Sequence, residues 1–221
     1  MKKILLVALM ATFASSAFAQ LMTGKSAAYA KEPSRNWAYI YVQYNPGTFS
    51  PKDGDSQSFN AFSFGSVANW SLSKKIPLYL DMNYGLQYSF FSEDQKTYGI
   101  KTEESFNMLS LKYALGVNYK YDIPNTPIAI VPNAGIDLRV NFLAERKLES
   151  DGKSMKYNLF SSDDMGGSDY TWNIVQVGAH VGVNALIWQK LLVGVSYQFD
   201  FTEIAKDLHM NQVNLTLGYS F

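Results

Sequence analysis

Residues 109–121 read LSLKYALGVNYKY, with a large apolar or aromatic side chain at every second position. Leu109, Leu111, Tyr113, Leu115, Val117, Tyr119 and Tyr121 share one face; Ser110, Lys112, Ala114, Gly116, Asn118 and Lys120 share the other. A period of two means an extended strand with unlike faces, since successive side chains point to opposite sides of the pleat. The pattern recurs in residues 76–90, 191–201 and 212–221, and less regularly in 37–46, 58–72, 127–143 and 170–188. Eight strands, an even number, are therefore expected.

The connections alternate in length. Short turns fall at Ser73-Lys74-Lys75, at Asp122 to Thr126 and around Gln189-Lys190. Longer polar links fall at 47–57, 92–104, 145–169 and 202–208, the longest carrying Asp151-Gly152 and Gly166-Gly167. In an up-and-down meander this puts all short turns at one end and all long loops at the other, the asymmetry of a membrane barrel. A soluble barrel with an apolar interior alternates in the same way. Three features select the inverted arrangement. Gly65, Gly85, Gly116, Gly135, Gly178, Gly182, Gly194 and Gly218 all lie on the polar parity, as a narrow eight-stranded lumen requires. The apolar face carries aromatics near both strand ends: Tyr119, Tyr121, Tyr219 and Phe221 at one, Tyr88, Phe90, Phe142, Phe199 and Phe201 at the other. Phe221 itself falls inside the last strand, on its apolar face. Pro132, which has no ladder donor, is expected at a bulge near the short-turn rim.

Composition agrees. The 221 residues hold 19 basic and 19 acidic side chains, so no electrostatic footprint for nucleic acid is present. The absence of cysteine excludes disulfides, thiol catalysis and Cys-ligated metals. With 15% aromatic and 47% hydrophobic residues, the chain has too much apolar surface for disorder. The opening MKKILLVALMATFASSAFAQ has the charged start, short apolar stretch and Ala17-Phe18-Ala19 site of a secretory signal. Residues 1–19 are read as that signal, 20–36 as a short periplasmic segment and 37–221 as the barrel.

Signal, eight amphipathic strands and the ending Leu217-Gly218-Tyr219-Ser220-Phe221 resemble the small outer-membrane β-barrels of Gram-negative bacteria, the OmpA/OmpX-like group. The resemblance implies an eight-stranded antiparallel transmembrane β-barrel in the outer membrane, surrounded by outer-membrane lipid and lipopolysaccharide. It also implies that Leu217, Tyr219 and Phe221 serve as the signal read by the barrel-assembly machinery. Since the sequence ends with the barrel, no peptidoglycan-binding domain is expected to follow.

Catalytic chemistry has few candidates. His180 and Asp200 share the lumen parity and face each other if their turn is centred near Lys190; a His–Asp pair is half of a nucleophilic triad. The nearest inward hydroxyl, Ser196, is too far from Asp200 to complete it. His209 lies on the lipid-facing parity at the external end of the last strand, where a lipid A deacylase keeps its histidine, but that family's serine two positions on is here Asn211. Asp163, Asp164 and Asp169 could hold a divalent ion but read better as solvated loop charge. Gly178-x-x-x-Gly182 is two small lumen residues rather than a helix-dimer motif, and Asn69-Trp70-Ser71 has little meaning as a glycosylation site inside a strand. With a turn centred between Pro124 and Asn125, Lys112 and Asp137 come directly opposite. Arg139 then extends a lumen polar network of Lys112, Asp137, Arg139, His180 and Asp200. The expected protein is a non-enzymatic barrel without cofactor or metal, acting through membrane stabilisation or a loop ligand. A lipid-modifying enzyme and a narrow passive pore are the alternatives.

Overall fold

The computed structural model describes residues 36–97, 100–150, 153–167 and 171–221; the signal at 1–19, nearly all of the segment 20–36, Asp151-Gly152 and Asp169 lie outside them. The described chain is a closed antiparallel sheet. Its strands are β1 (Trp37–Tyr44), β2 (Gly47–Pro51), β3 (Gln57–Ser71), β4 (Leu78–Thr97), β5 (Ile100–Tyr119), β6 (Tyr121–Asp122), β7 (Ile128–Ser150), β8 (Lys153–Asn158), β9 (Val175–Ile187), β10 (Leu191–Asp200) and β11 (Leu208–Ser220). Neighbours in sequence pair around the ring, and β1 closes it against both β11 and β3. β1 and β2 are one wall strand: both keep a single register with β11 and β3, and Pro46 between them still accepts from the Val213 N–H (2.9 Å). The wall thus has eight strands, with β6 continuing β5 and β8 lying outside the ring beside β7. Closure leaves no wall edge without a backbone partner, which hydrocarbon demands.

Several links expected as loops are strand. The first wall strand runs on to Pro51, and most of 92–104 and 145–158 is paired in β4, β5, β7 and β8. Those segments carry only scattered apolar residues such as Phe49, Leu148 and Met155, so the regular hydrophobic alternation stops while the hydrogen-bond ladder continues. Pro132 sits at no bulge. It is in register with Val183 of β9; on its other side pairing lapses between Asn118–Asn133 and Tyr121–Ile130 without a shift in register, so the missing donor meets a gap rather than an extra residue. The bulge lies at the opposite end, where Ser110 faces Asn141 but Leu109 faces Leu143, with Phe142 the extra residue.

Parity sorts the side chains as expected. Leu115, Val117, Ile136, Val193, Leu215 and Leu217 are exposed on the outer face, while Lys112, Asn118, Asp137 and Arg139 are buried inside. The interior also holds two apolar clusters. At the long-loop end Phe49, Phe59, Phe106, Met108 and Met210 from the wall pack with Leu159 and Ile204 from loops, and Phe160, Met165 and Trp172 lean on them. The Trp172 ring lies 5.4 Å from Phe49 and 5.2 Å from Phe106. At the short-turn end Tyr39, Tyr41, Val67, Ala129, Val131, Leu186 and Leu192 form the second cluster. The loop that supplies Met165 contains a single helical turn, Ser162–Met165, capped by the Ser161 hydroxyl and ended by Gly166 in the left-handed region. Asp163 and Asp164 occupy that turn, and Asp164 accepts from the Asn158 N–H (3.0 Å). Negative groups are favourable at a helix start, so the pair has a local role. Among the described residues no group of three acidic, His or Cys side chains is placed to hold a metal.

Candidate functional site

Between the two apolar clusters the lumen is polar, and register explains how it is filled. Three successive rows across the sheet carry the charges. The row nearest the long loops runs Tyr41–Gly65–Gly85–Lys112–Arg139–Gln176. The next runs Asn83–Ala114–Asp137–Gly178–Asp200, and the third Asp81–Gly116–Gly135–His180–Gln198. A cationic row therefore lies beside a row holding two carboxylates, followed by one holding Asp81 and His180.

Glycines in these rows make room for the long side chains. A Cβ on Gly65 or Gly85 would fall 2.6 or 2.5 Å from the Tyr41 hydroxyl, which instead donates to Asn83 (2.9 Å). A Cβ on Gly116 would fall 2.5 Å from an Asp81 oxygen, and one on Gly135 2.7 Å from the His180 ring. Asp81 and His180 thus reach over a cross-strand glycine pair from opposite sides. His180 Nδ1 lies 2.9 Å from Asp137, and Arg139 is paired with Asp200, with both side chains of that pair almost wholly buried.

Two expected pairings are not formed. Lys112 faces Arg139, and Asp137 faces Ala114. The β6–β7 turn, with Asn125 at φ 61° and the Thr126 N–H on the Ile123 carbonyl, is centred one residue later than expected, which shifts register by two. Likewise His180 faces Gln198, and Asp200 faces Gly178, because the β9–β10 turn is centred on Gln189. Ser196 donates nothing to either; its hydroxyl accepts from Asn214 (3.1 Å).

Towards the long loops, neutral amides cross the lumen. Gln87 and Gln212 exchange reciprocal hydrogen bonds (3.1 and 3.2 Å), and Gln212 also donates to Gln198 (2.9 Å) and Asn214 (2.8 Å). On the short-turn side, Asn118 donates to Asn69 (2.6 Å) and Asp81 (3.4 Å). The space left beside Asp81, Lys112, Asp137 and His180 is a cavity of about 40 Å³, room for no more than about three waters. Asp81, Tyr41 and the glutamines had a usable signal: each lies on the glycine-bearing parity of its strand.

On the outer wall, His209 of β11 lies across the ladder from Ser50 of β2, and Asn211 from Thr48. Leu217, Tyr219 and Phe221 are exposed on the outer face, the first two in register with Val42 and Ile40 at the closing seam.

Beyond the external apolar cluster, β4, β5, β7 and β8 continue as a projecting sheet. Rows such as Ser105–Lys147–Lys156 and Glu104–Leu148–Met155 cross it. Arg146 pairs with Glu104 (2.7 Å). Hydrogen bonding to the Glu149 carboxylate (2.7 Å), and its charge, hold the exposed Lys147 ammonium above the usual lysine range.

The family model described as outer membrane protein β-barrel domain matches residues 5–221. No curated protein sequence matches the chain. Among solved structures, the chain is similar to Ail, the attachment invasion locus protein of Yersinia pestis, in complex with the heparin analogue sucrose octasulfate: 12% identity, TM-score 0.47, 84% of this chain and 99% of that one. It is similar to Neisserial surface protein A at 13% identity and TM-score 0.48, over 83% and 97% of the two chains. The outer membrane enzyme PagL matches at 13% identity and TM-score 0.44, over 82% and 98%.

Proposed function

From the premise that the chain belongs to the outer membrane protein β-barrel family, we propose that it is a non-enzymatic surface barrel whose working part is the sheet projecting from its external end. One observation carries this reading: the lumen is filled and capped, whereas the projecting sheet offers an uncovered edge. β8 pairs only with β7 among the described residues, and Lys153, Met155 and Lys156 on it are exposed. An edge strand presents unpaired N–H and C=O groups to which an extended segment of another protein can add. The loop ligand is thus a protein partner recognised by strand addition. Lipopolysaccharide surrounds the external half of the wall, and the barrel-assembly machinery reads Leu217, Tyr219 and Phe221.

The passive-pore reading is disfavoured by the two apolar clusters and by the cross-lumen glutamines. The enzyme reading has one favouring observation, the register of His209 with Ser50 on the membrane face, which would replace the serine absent at Asn211. Three measurements test the proposal. Planar bilayers containing the protein should show no steady conductance. Lipid A from cells lacking it should keep its mass profile. Met155→Cys on intact cells should react with a membrane-impermeant maleimide. A stable open level, an altered acylation pattern or an unreactive thiol would each overturn the corresponding part.

A further inference from the structure

The outer wall carries a recess at the seam where the barrel closes. Its two sides are adjacent outward rows, Leu191–Tyr219–Ile40 and Leu217–Val42–Phe64, and Tyr41, Gly65 and Gly218 lie between them. Its volume is about 530 Å³ and its lining is largely apolar; Tyr41 borders it from the lumen side of the wall, its hydroxyl turned inward to Asn83. It faces hydrocarbon and ends at the short-turn, periplasmic rim, where the Ser220 N–H bonds to the Lys190 carbonyl (2.6 Å).

Two further features meet there. The rim is basic: Lys74, Lys75, Lys120 and Lys190 stand in the short turns against Asp122. The turn beside Lys190 is also built against local preference. Trp188 and Gln189 both have positive φ (51° and 58°), and the Lys190 N–H closes the turn on the Ile187 carbonyl (3.0 Å). Such turns favour Asn-Gly, and a bulky residue there is strained. Neighbouring groups hold it in place: the Trp188 N–H donates to the Pro127 carbonyl (2.7 Å), Gln189 donates to Asp122 (3.2 Å), and Lys120 donates to Gln189. The outcome is an indole 68% exposed beside Lys190. Amphipathic rings sit at the headgroup level of a membrane, and observed strain in an over-determined turn points to a role for what it displays.

We propose that this seam binds one anionic phospholipid of the periplasmic leaflet. An acyl chain lies in the recess between Ile40, Val42, Phe64 and Leu217, and the phosphate meets the Lys190 ammonium. The Trp188 indole packs at the level of the glycerol. Charge sign decides the class of headgroup, because a lysine favours an anionic lipid over a zwitterionic one.

The protein reconstituted into vesicles of equal parts phosphatidylglycerol and phosphatidylcholine, then extracted and weighed by native mass spectrometry, reports the retained lipid. Phosphatidylglycerol should be retained about fivefold over phosphatidylcholine, the factor equivalent to ~1 kcal/mol for one lysine near an anionic surface. Lys190→Gln should bring the two lipids to parity while some lipid is still retained. Val42→Trp and Ile40→Trp, which fill the recess, should abolish retention of both. Val117→Trp, the same change on a remote part of the outer wall, should behave as wild type and controls for folding. Equal retention of the two lipids by wild type, or undiminished retention in both recess-filling variants, would overturn the site.

Discussion

Removing Asp200 should unfold the barrel far more readily than removing its partner Arg139, and register explains why. The two side chains are 2% and 1% exposed, so neither charge can be rescued by bulk water. Two further guanidinium nitrogens of Arg139, Nε and one NH group, are buried without a partner, which leaves Asp200 as its main counter-charge. Arg139 also faces Lys112 directly across the ladder, a like-charge pair. Asp200→Leu leaves those two cations together, since Asp137 is engaged by His180. Breaking a buried pair from one side costs ~3–5 kcal/mol. Arg139→Met should cost less, because Lys112 stands in the same row and can turn its ammonium towards Asp200. The double variant Arg139→Met/Asp200→Leu should lie closer to wild type than Asp200→Leu alone, because it removes the buried guanidinium together with its counter-charge and ends the like-charge contact with Lys112. Urea titration of the barrel in phospholipid vesicles, followed by tryptophan fluorescence, measures all three. A cost for Asp200→Leu below ~1 kcal/mol, as for an exposed pair, or a double variant as costly as the sum of the singles, would refute the reasoning.

Three other outcomes are expected. Leu115→Arg, on the exposed outer face, should cost ~2–4 kcal/mol near the bilayer midplane, while Asn118→Ala in the lumen, which gives up its bond to Asn69, should cost ~1 kcal/mol; the reverse order in the same titration would mean that the wall is inside out. Gly135→Val forces a Cβ to within 2.7 Å of both the His180 ring and the Leu115 carbonyl, and should cost ~1–3 kcal/mol through overpacking, measured as a lowered urea midpoint. Deleting Phe221, whose N–H bonds to the Ala38 carbonyl (3.2 Å) while its ring faces outward, should leave refolding in vitro nearly unchanged and reduce outer-membrane levels in cells; normal surface abundance would refute the assembly role.

Faces were legible in the sequence and registers were not, for a definite reason. Parity survives any error of whole residue pairs, so Lys112, Asp137, Arg139, His180 and Asp200 could be placed in the lumen from alternation alone. Register depends on the centre of each turn, and an error of one residue there moves partners by two. That is why Asp137 lies opposite Ala114 rather than Lys112, and Asp200 opposite Gly178 rather than His180. Both turns depend on positive φ, at Asn125 in one, where a turn signal leaves the exact centre open, and at Trp188 and Gln189, which carry no turn signal, in the other. The projecting sheet was illegible for a different reason. Residues 145–150 and 153–158 offer only Leu148, Met155 and Tyr157 among charged and polar groups, and so sparse a set has no hydrophobic period to read.

The glycine pairs join these two kinds of information. Gly116 and Gly135, like Gly65 and Gly85, are individually only small lumen residues, but register makes each pair a notch two strands wide. Into the first reach Asp81 and His180, and into the second the Tyr41 hydroxyl. A narrow barrel can bury long polar side chains only if the wall opposite them is bare, so the glycines determine which strands the polar network links. The same notches let the network occupy the middle of the lumen while aromatic rings close both ends. Stability then resides in the wall and its filling, leaving the projecting strands, which bury little, free to change sequence without unfolding the barrel.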